Sequence, residues 1–294
     1  MIRLGVTGVD NSHIDAVVGF LADRAASEVR LTAALAGPPP RRCLSTLPEA
    51  EKIWRATTAD MIDDVDAVLI CDRDGTDHAA PAGAFLRAGK SVYVDKPFTV
   101  DPDEARALVA VARAGGVLLT SYSPLRFEAD VQELALLVAD LGPPRRLTMA
   151  GPVYPDSPYG LSYYSSHHCD LAITLTQGRI HRIRGSAGTD GIRLAGRIGT
   201  SALALRLITR DQSSADFTIT AEWDDRQEHR VVRTGDDFFF AGLGRFLAAA
   251  AGDAPSPVSG DRMVAAVELA ERVGTAFAAI TARRTTTPTK GTGQ

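Results

Sequence analysis

The sequence predicts an α/β protein. A Rossmann-type, doubly wound parallel sheet comes first, followed by an α+β domain with a mostly antiparallel sheet. Three observations carry this. Short β-branched runs alternate with helix-length amphipathic stretches through the first half, the pattern of βαβ units and a parallel sheet. At Leu141-Gly142-Pro143-Pro144 the chain breaks, and closely spaced alternating strands follow. A length of 294 residues, 45% hydrophobic and 23% charged, is ordinary globular usage. That length suits about two domains, each with its own core.

The elements follow in order. Strands are expected at residues 3–6, 29–36, 67–71, 91–94 and 117–120, with helices near 14–21, 48–54, 79–88 and 102–114. The last of these helices is the best marked. Asp101 is a good N-cap, Pro102 suits the first helical position, and Asp103 and Glu104 suit the positive end of the dipole. Gly115-Gly116 stops that helix and Gly89 the one before it. A helix over 128–140 leads into strands at 147–151, 180–187, 192–195, 202–208, 217–222 and 228–233. Among them lies one helix near 166–176, closed by Gly178; two more, 238–251 and 261–282, finish the domain. The expected division is 1–122 and 123–284, with a Thr/Gly/Pro-rich tail at 285–294 expected to be disordered.

Composition excludes several classes. The net charge of −4 comes without a local basic patch, so a nucleic-acid partner is not expected. No apolar run approaches the ~18 residues of a membrane span, and Met1–Val6 enters strand-like sequence without a cleavable signal. Cys43, Cys71 and Cys169 are far apart, odd in number and match no zinc spacing. Free thiols and a cytoplasmic location are the expectation, with no metal. Arginine outnumbers lysine 28 to 4, which makes each lysine more informative.

The first βα turn, Gly8-Val9-Asp10-Asn11-Ser12-His13, lies where a dinucleotide fingerprint sits. Only the first glycine of G-x-G-x-x-G is present; Asp10 and His13 replace the others. Asp10 adds bulk and negative charge at a helix N-terminus that otherwise attracts anions. After the second strand, Arg41 and Arg42 stand where an NAD site usually has a ribose-binding carboxylate. Two arginines suit a 2′-phosphate; the alternative is a solvated basic loop. Asp72, Arg73 and His78 follow the third buried strand, at the carboxyl edge where such sheets bind ligands. Asp74 and Asp77 beside them read as turn and cap residues. Lys96 ends the next buried strand, and Pro97 biases it toward extended geometry. A partly desolvated lysine there can donate to a substrate oxygen; a snorkelling surface lysine is the alternative. In Tyr163-Tyr164-Ser165-Ser166-His167-His168-Cys169-Asp170, a helix starting at Ser165 or Ser166 puts His167 and Asp170 one turn apart on one face.

Together these pieces resemble the Gfo/Idh/MocA family of NAD(P)-dependent oxidoreductases over nearly the whole chain. The strongest match runs from Ala84 to Phe98 and looks like that family's GK…EKP segment, with Asp95 in place of the usual glutamate. The stretch from Ser121 to Phe127 is similar to the segment leading into the second domain. The family's D-x-G-x-H-x-x-D motif falls on Tyr163, Ser165, His167 and Asp170; the last two match and the first two depart. The resemblance implies a catalytic pair of Lys96 and His167, with Asp170 orienting the histidine or capping the helix. Tyr163 or Tyr164 would supply a hydroxyl for the absent motif aspartate. Cofactor contacts are expected from Gly8, Asp10, Asn11, Ser12, His13, Arg41, Arg42, Asp72, Arg73, His78, Asp95, Lys96 and Pro97. Substrate contacts are expected from Lys96, Arg126, Tyr164, His167 and His168.

The function expected is hydride transfer between a nicotinamide, NADP slightly before NAD, and a carbinol or carbonyl of a small polar substrate. A redox-neutral lyase, isomerase or cyclase on the same fold is the alternative, and a non-catalytic ligand sensor a third. A homodimer or homotetramer is expected, because the alternating strands at 202–208 and 217–222 would leave an apolar face uncovered.

Overall fold

Residues 1–25, 28–209, 216–233, 235 and 237–286 are described by a computed structural model of the chain. Most of the expected tail lies outside the described residues; Thr285 and Thr286 end the last helix.

The first sheet is built from β1 (Ile2–Thr7), β2 (Val29–Leu35), β3 (Trp54–Arg55), β4 (Ala67–Ile70), β5 (Ser91–Val94) and β6 (Leu119–Thr120). Their order is β3-β2-β1-β4-β5-β6 and every pairing is parallel. All four residues of β4 are buried, as a central strand covered on both faces requires. The strand order reverses between β1 and β4, which opens a crevice at their carboxyl ends. Helices α1 (His13–Phe20), α2 (Thr58–Met61), α3 (Ala79–Arg87) and α4 (Pro102–Gly115) connect these strands. The marked cap of α4 is present: the Asp101 carboxylate accepts from the Asp103 N–H, and Gly116 closes the helix at φ 62°.

One expected helix is absent. Residues 48–54 form only a short 3-10 turn, Ala50–Lys52, and Trp54 then pairs with Ala34 as an edge strand. Pairing across the sheet, a tertiary effect, overrides the local pattern there.

The second sheet contains β7 (Arg146–Pro152), β8 (Ile180–Ala187), β9 (Gly191–Ile198), β10 (Ser201–Ile208), β11 (Phe217–Glu222) and β12 (Gln227–Val232). Its order is β12-β11-β7-β10-β9-β8, antiparallel except for β7 with β10. One face is covered by α5 (Ala129–Leu141), α6 (Ser162–Thr176) and α8 (Gly260–Thr286). Leu147, Met149, Leu203, Leu205 and Leu207 meet Leu134, Ile173 and Leu269 in that core.

The opposite face corrects an expectation. Ala202, Ala204, Arg206, Thr218, Thr220 and Glu222 point outward, so apart from Ile208 that side of these two strands is small and polar, while Leu203, Leu205, Leu207 and Ile219 turn inward. The final helices also differ from the expected division. From α7 (Phe240–Ala251), Leu243, Phe246 and Leu247 join the core of the first sheet, as do Phe239, Met263 and Val267. Farther along α8, Leu269 and Val273 belong to the second core, so this helix bridges both. No described helix is long and apolar enough to cross a membrane.

Candidate active site

The crevice begins at the end of β1. Gly8 takes φ 63°, and a Cβ there would stand 2.2 Å from the Asp72 nitrogen, so only glycine fits the turn. Asn11 fastens the turn by donating to the Cys71 carbonyl at 2.8 Å and accepting from the His13 N–H at 3.1 Å. Ser12 stands exposed at the start of α1 and makes no side-chain cap bond. His13 turns inward, with Nδ1 2.6 Å from the Asp95 carboxylate and its ring 4.9 Å from that of Phe239. Burial pushes the Asp95 carboxyl up, but His13 and Lys96 hold it below the usual carboxylate range.

Around this turn the other expected cofactor residues separate into two groups. Arg73 lies on the crevice, one guanidinium nitrogen donating to the Asp10 carbonyl at 3.1 Å while its buried Nε has no hydrogen-bond partner among the described residues. Arg42 is exposed and has no ion pair among the described residues. Arg41, by contrast, pairs with Asp15, and its backbone N–H holds the loop to the Val9 carbonyl at 2.8 Å. Asp72 accepts from the Thr7 hydroxyl, and burial raises its carboxyl. His78 is wholly buried, its two ring nitrogens each 2.7 Å from a carbonyl, those of Asp72 and Pro97. It ties the two strand ends together and presents nothing to a ligand.

The donor set suits an anionic dinucleotide. A glycine turn, an exposed Ser12 at a helix start and an unpartnered arginine nitrogen converge at the switch point. The Asp10 side chain is the one unfavourable charge on the turn.

Lys96 lies at the end of β5, 4% exposed, with a cis peptide to Pro97. Among the described residues its ammonium has neither a hydrogen bond nor an ion pair. Nζ sits 3.1 Å from the centroid of the Tyr163 ring. Burial, with Arg73 nearby, lowers the ammonium to about 8.

The facing wall is α6. It begins at Ser162, earlier than the sequence suggests, and ends on Gln177 at φ 55°, not on Gly178. His167 is partly buried, its Nδ1 2.7 Å from the Ser123 hydroxyl. Its other ring nitrogen has no partner among the described residues. Burial first, and then the charge of Lys96, push His167 well below the ordinary histidine range. At neutral pH the ring is therefore uncharged, and the tautomer that donates Nδ1–H to the Ser123 hydroxyl carries its lone pair on Nε2.

Three expected site residues are engaged elsewhere. Asp170 makes no bond to His167. It accepts from Arg126 at 2.8 and 3.1 Å and from the Ser123 N–H at 3.2 Å. That pair is 5% and 9% exposed, so Arg126, expected to touch substrate, holds segment 123–127 against α6. His168 is fully buried, 4.6 Å from the Phe217 ring and against the backbone of Tyr164 and Gly151. Tyr164 stacks between Tyr154 at 4.3 Å and Tyr163 at 4.9 Å, at the rim of the crevice. Sequence reasoning missed Ser123 as the residue that sets the His167 ring. Its signal was a Ser-Pro step opening the 3-10 turn Pro124–Phe127 right after β6.

The first domain is also recognisable by comparison. Residues 13–123 match the Gfo/Idh/MocA family, described as an oxidoreductase family with an NAD-binding Rossmann fold. The uncharacterised oxidoreductase YdgJ of Escherichia coli K12 is 40% identical over 76 residues, covering 26% of this chain and 22% of that protein. The chain thus matches only about a fifth of the length of such relatives. Among solved structures, UDP-N-acetylglucosamine 3-dehydrogenase GnnA from Acidithiobacillus ferrooxidans superposes with a TM-score of 0.76 at 21% identity, covering 95% of this chain and 98% of that one. The WlbA dehydrogenase from Bordetella pertussis, in complex with NADH and UDP-GlcNAcA, gives 0.73 at 17% identity, covering 94% and 96%. These likenesses show a shared fold. Over residues 13–123, then, the chain is similar to the Gfo/Idh/MocA oxidoreductase family with an NAD-binding Rossmann fold.

Proposed function

We propose that the protein is a nicotinamide-dependent dehydrogenase acting on a carbinol or carbonyl of a small polar substrate such as a sugar or polyol. The supporting observation is that Lys96 lies near enough for its charge to lower His167, while Nζ and the second His167 ring nitrogen have no hydrogen-bond partner among the described residues. A dinucleotide held along the Gly8–His13 turn and Arg73 supplies two-electron hydride exchange with the substrate carbon. The chain itself handles the proton. His167 Nε2 takes the carbinol proton during oxidation and returns it during reduction, while Lys96 donates a hydrogen bond to the same oxygen. Ser123 fixes the ring that does this.

NADP(H) is the preferred cofactor in this reading. No carboxylate follows β2, and Arg42 is available for a 2′-phosphate, whereas Arg41 is held by Asp15. The active unit is proposed to be a homodimer or homotetramer. Its interface would be the small, polar face of the second sheet, so it would be less apolar than a core.

The reading is tested by incubating the enzyme with NADP+ or NAD+ and a panel of sugars, sugar acids and polyols while following absorbance of the reduced nicotinamide. Turnover with one substrate class, lost in His167→Ala, supports it. Product formed from such substrates without net change in the nicotinamide would favour the redox-neutral alternative, for which Asp10 on the anion-binding turn is the motivating feature.

A further inference from the structure

We propose that the aromatic face of Tyr163 is the resident partner of the Lys96 ammonium and positions it at the crevice, a role independent of the tyrosine hydroxyl. Asp95 and Asp170 are already committed. Asp95, its neighbour in sequence, is held by His13 at 2.6 Å. Asp170 is held by Arg126 and the Ser123 N–H. What meets Nζ is the centre of the Tyr163 ring at 3.1 Å, well inside the range of a cation–π contact, in a place from which water is largely excluded.

The ring is fixed in turn by its neighbours. Tyr164 meets it edge-on at 4.9 Å and 82°, and Tyr159 lies against it at 5.5 Å. Ser166 donates to the Tyr163 carbonyl at 3.0 Å and steadies the first turn of α6. The Tyr163 hydroxyl makes no hydrogen bond among the described residues. This arrangement differs from a lysine–carboxylate pair in one consequential way. A carboxylate would neutralise the ammonium, whereas a ring face holds it in place and leaves its charge for a substrate oxygen.

Any part this plays in turnover rests on the dehydrogenase reading; the contact itself does not. The test therefore reads the lysine directly. The chain has four lysines, Lys52, Lys90, Lys96 and Lys290, so trace acetylation followed by peptide mass spectrometry reports Lys96 against three internal references. Labelling is compared from neutral to alkaline pH in the wild type, Tyr163→Phe and Tyr163→Leu. Losing the ring both uncovers the amine and removes a stabiliser of its charged form, so both changes speed labelling. Tyr163→Leu is expected to label Lys96 at least about fivefold faster near pH 8, and Tyr163→Phe to stay within about twofold of wild type. Tyr163→Met stands in if the leucine variant does not fold. A phenylalanine variant that releases Lys96 would show the hydroxyl to be the operative group and overturn the proposal. Unchanged labelling in the leucine or methionine variant would overturn it equally.

Discussion

Two clusters of charged and polar side chains lie close together along α6, and they are built on opposite terms. In the Arg126–Asp170 joint every charge is met: a two-point guanidinium–carboxylate contact, plus the Ser123 N–H, all nearly inaccessible. In the Lys96–His167 crevice the ammonium faces only a tyrosine ring, and His167 keeps one nitrogen free among the described residues. Satisfied buried charges hold a scaffold; unsatisfied ones facing a crevice are available to a ligand. His167 and His168 make the point at single-residue scale. The first reaches the crevice and Ser123, and the second is sealed against Phe217.

Breaking the joint is expected to have the largest effect. Asp170→Ala leaves the Arg126 guanidinium buried and unpaired, and removing one partner of a buried pair costs about 3–5 kcal/mol. Chemical denaturation should show that loss. A change below about 1 kcal/mol, the range of exposed pairs, would mean that water reaches the joint.

The crevice should respond the other way. Lys96→Ala and His167→Ala are each expected to lower turnover by ~10²-fold or more while leaving the unfolding midpoint nearly unchanged. The double variant should be little worse than either single one, since the two act on one proton transfer. Rates that hold while KM rises would move both residues from proton handling to substrate positioning.

The smallest effect is a slope in stability with pH. Burial lowers His168 to about 4, below the ~6.5 of an unfolded histidine. The unfolded chain therefore binds the proton more tightly, and this stability is fully present above about 6.5 and lost as pH falls toward 4. Denaturation curves at pH 7 and 5 should differ for the wild type, and by less for His168→Leu. An equal pH dependence in both would show that His168 is not the group responsible.

Much of this was legible from local pattern. Alternating elements, the Asp101–Pro102 cap, the glycine stops and the strand-ending Lys96 are all written within a few residues of one another. What was not legible came from afar. The i, i+3 spacing suggested that Asp170 serves His167, but its partner Arg126 is 44 residues away. His13 finds Asp95 across 82 residues. Trp54 becomes a strand only because Ala34 is there to pair with it. Tyr163 was noticed for its hydroxyl, and only packing among Tyr159, Tyr164 and Lys96 turned its face into the contact.

The central claim is that the unpaired groups of the crevice, not the saturated joint, await a dinucleotide and its substrate. An equilibrium titration with NAD+, NADH, NADP+ and NADPH, followed by fluorescence and melting temperature, tests it most directly. NADPH is expected to bind at least about tenfold more tightly than NADH, because contacts of a guanidinium with phosphate are the strong kind. Arg42→Ala should narrow that ratio while Arg41→Ala leaves it nearly intact. Equal binding of both phosphorylation states would contradict the assigned role of Arg42, and no binding of any of the four below millimolar would contradict the account of the crevice.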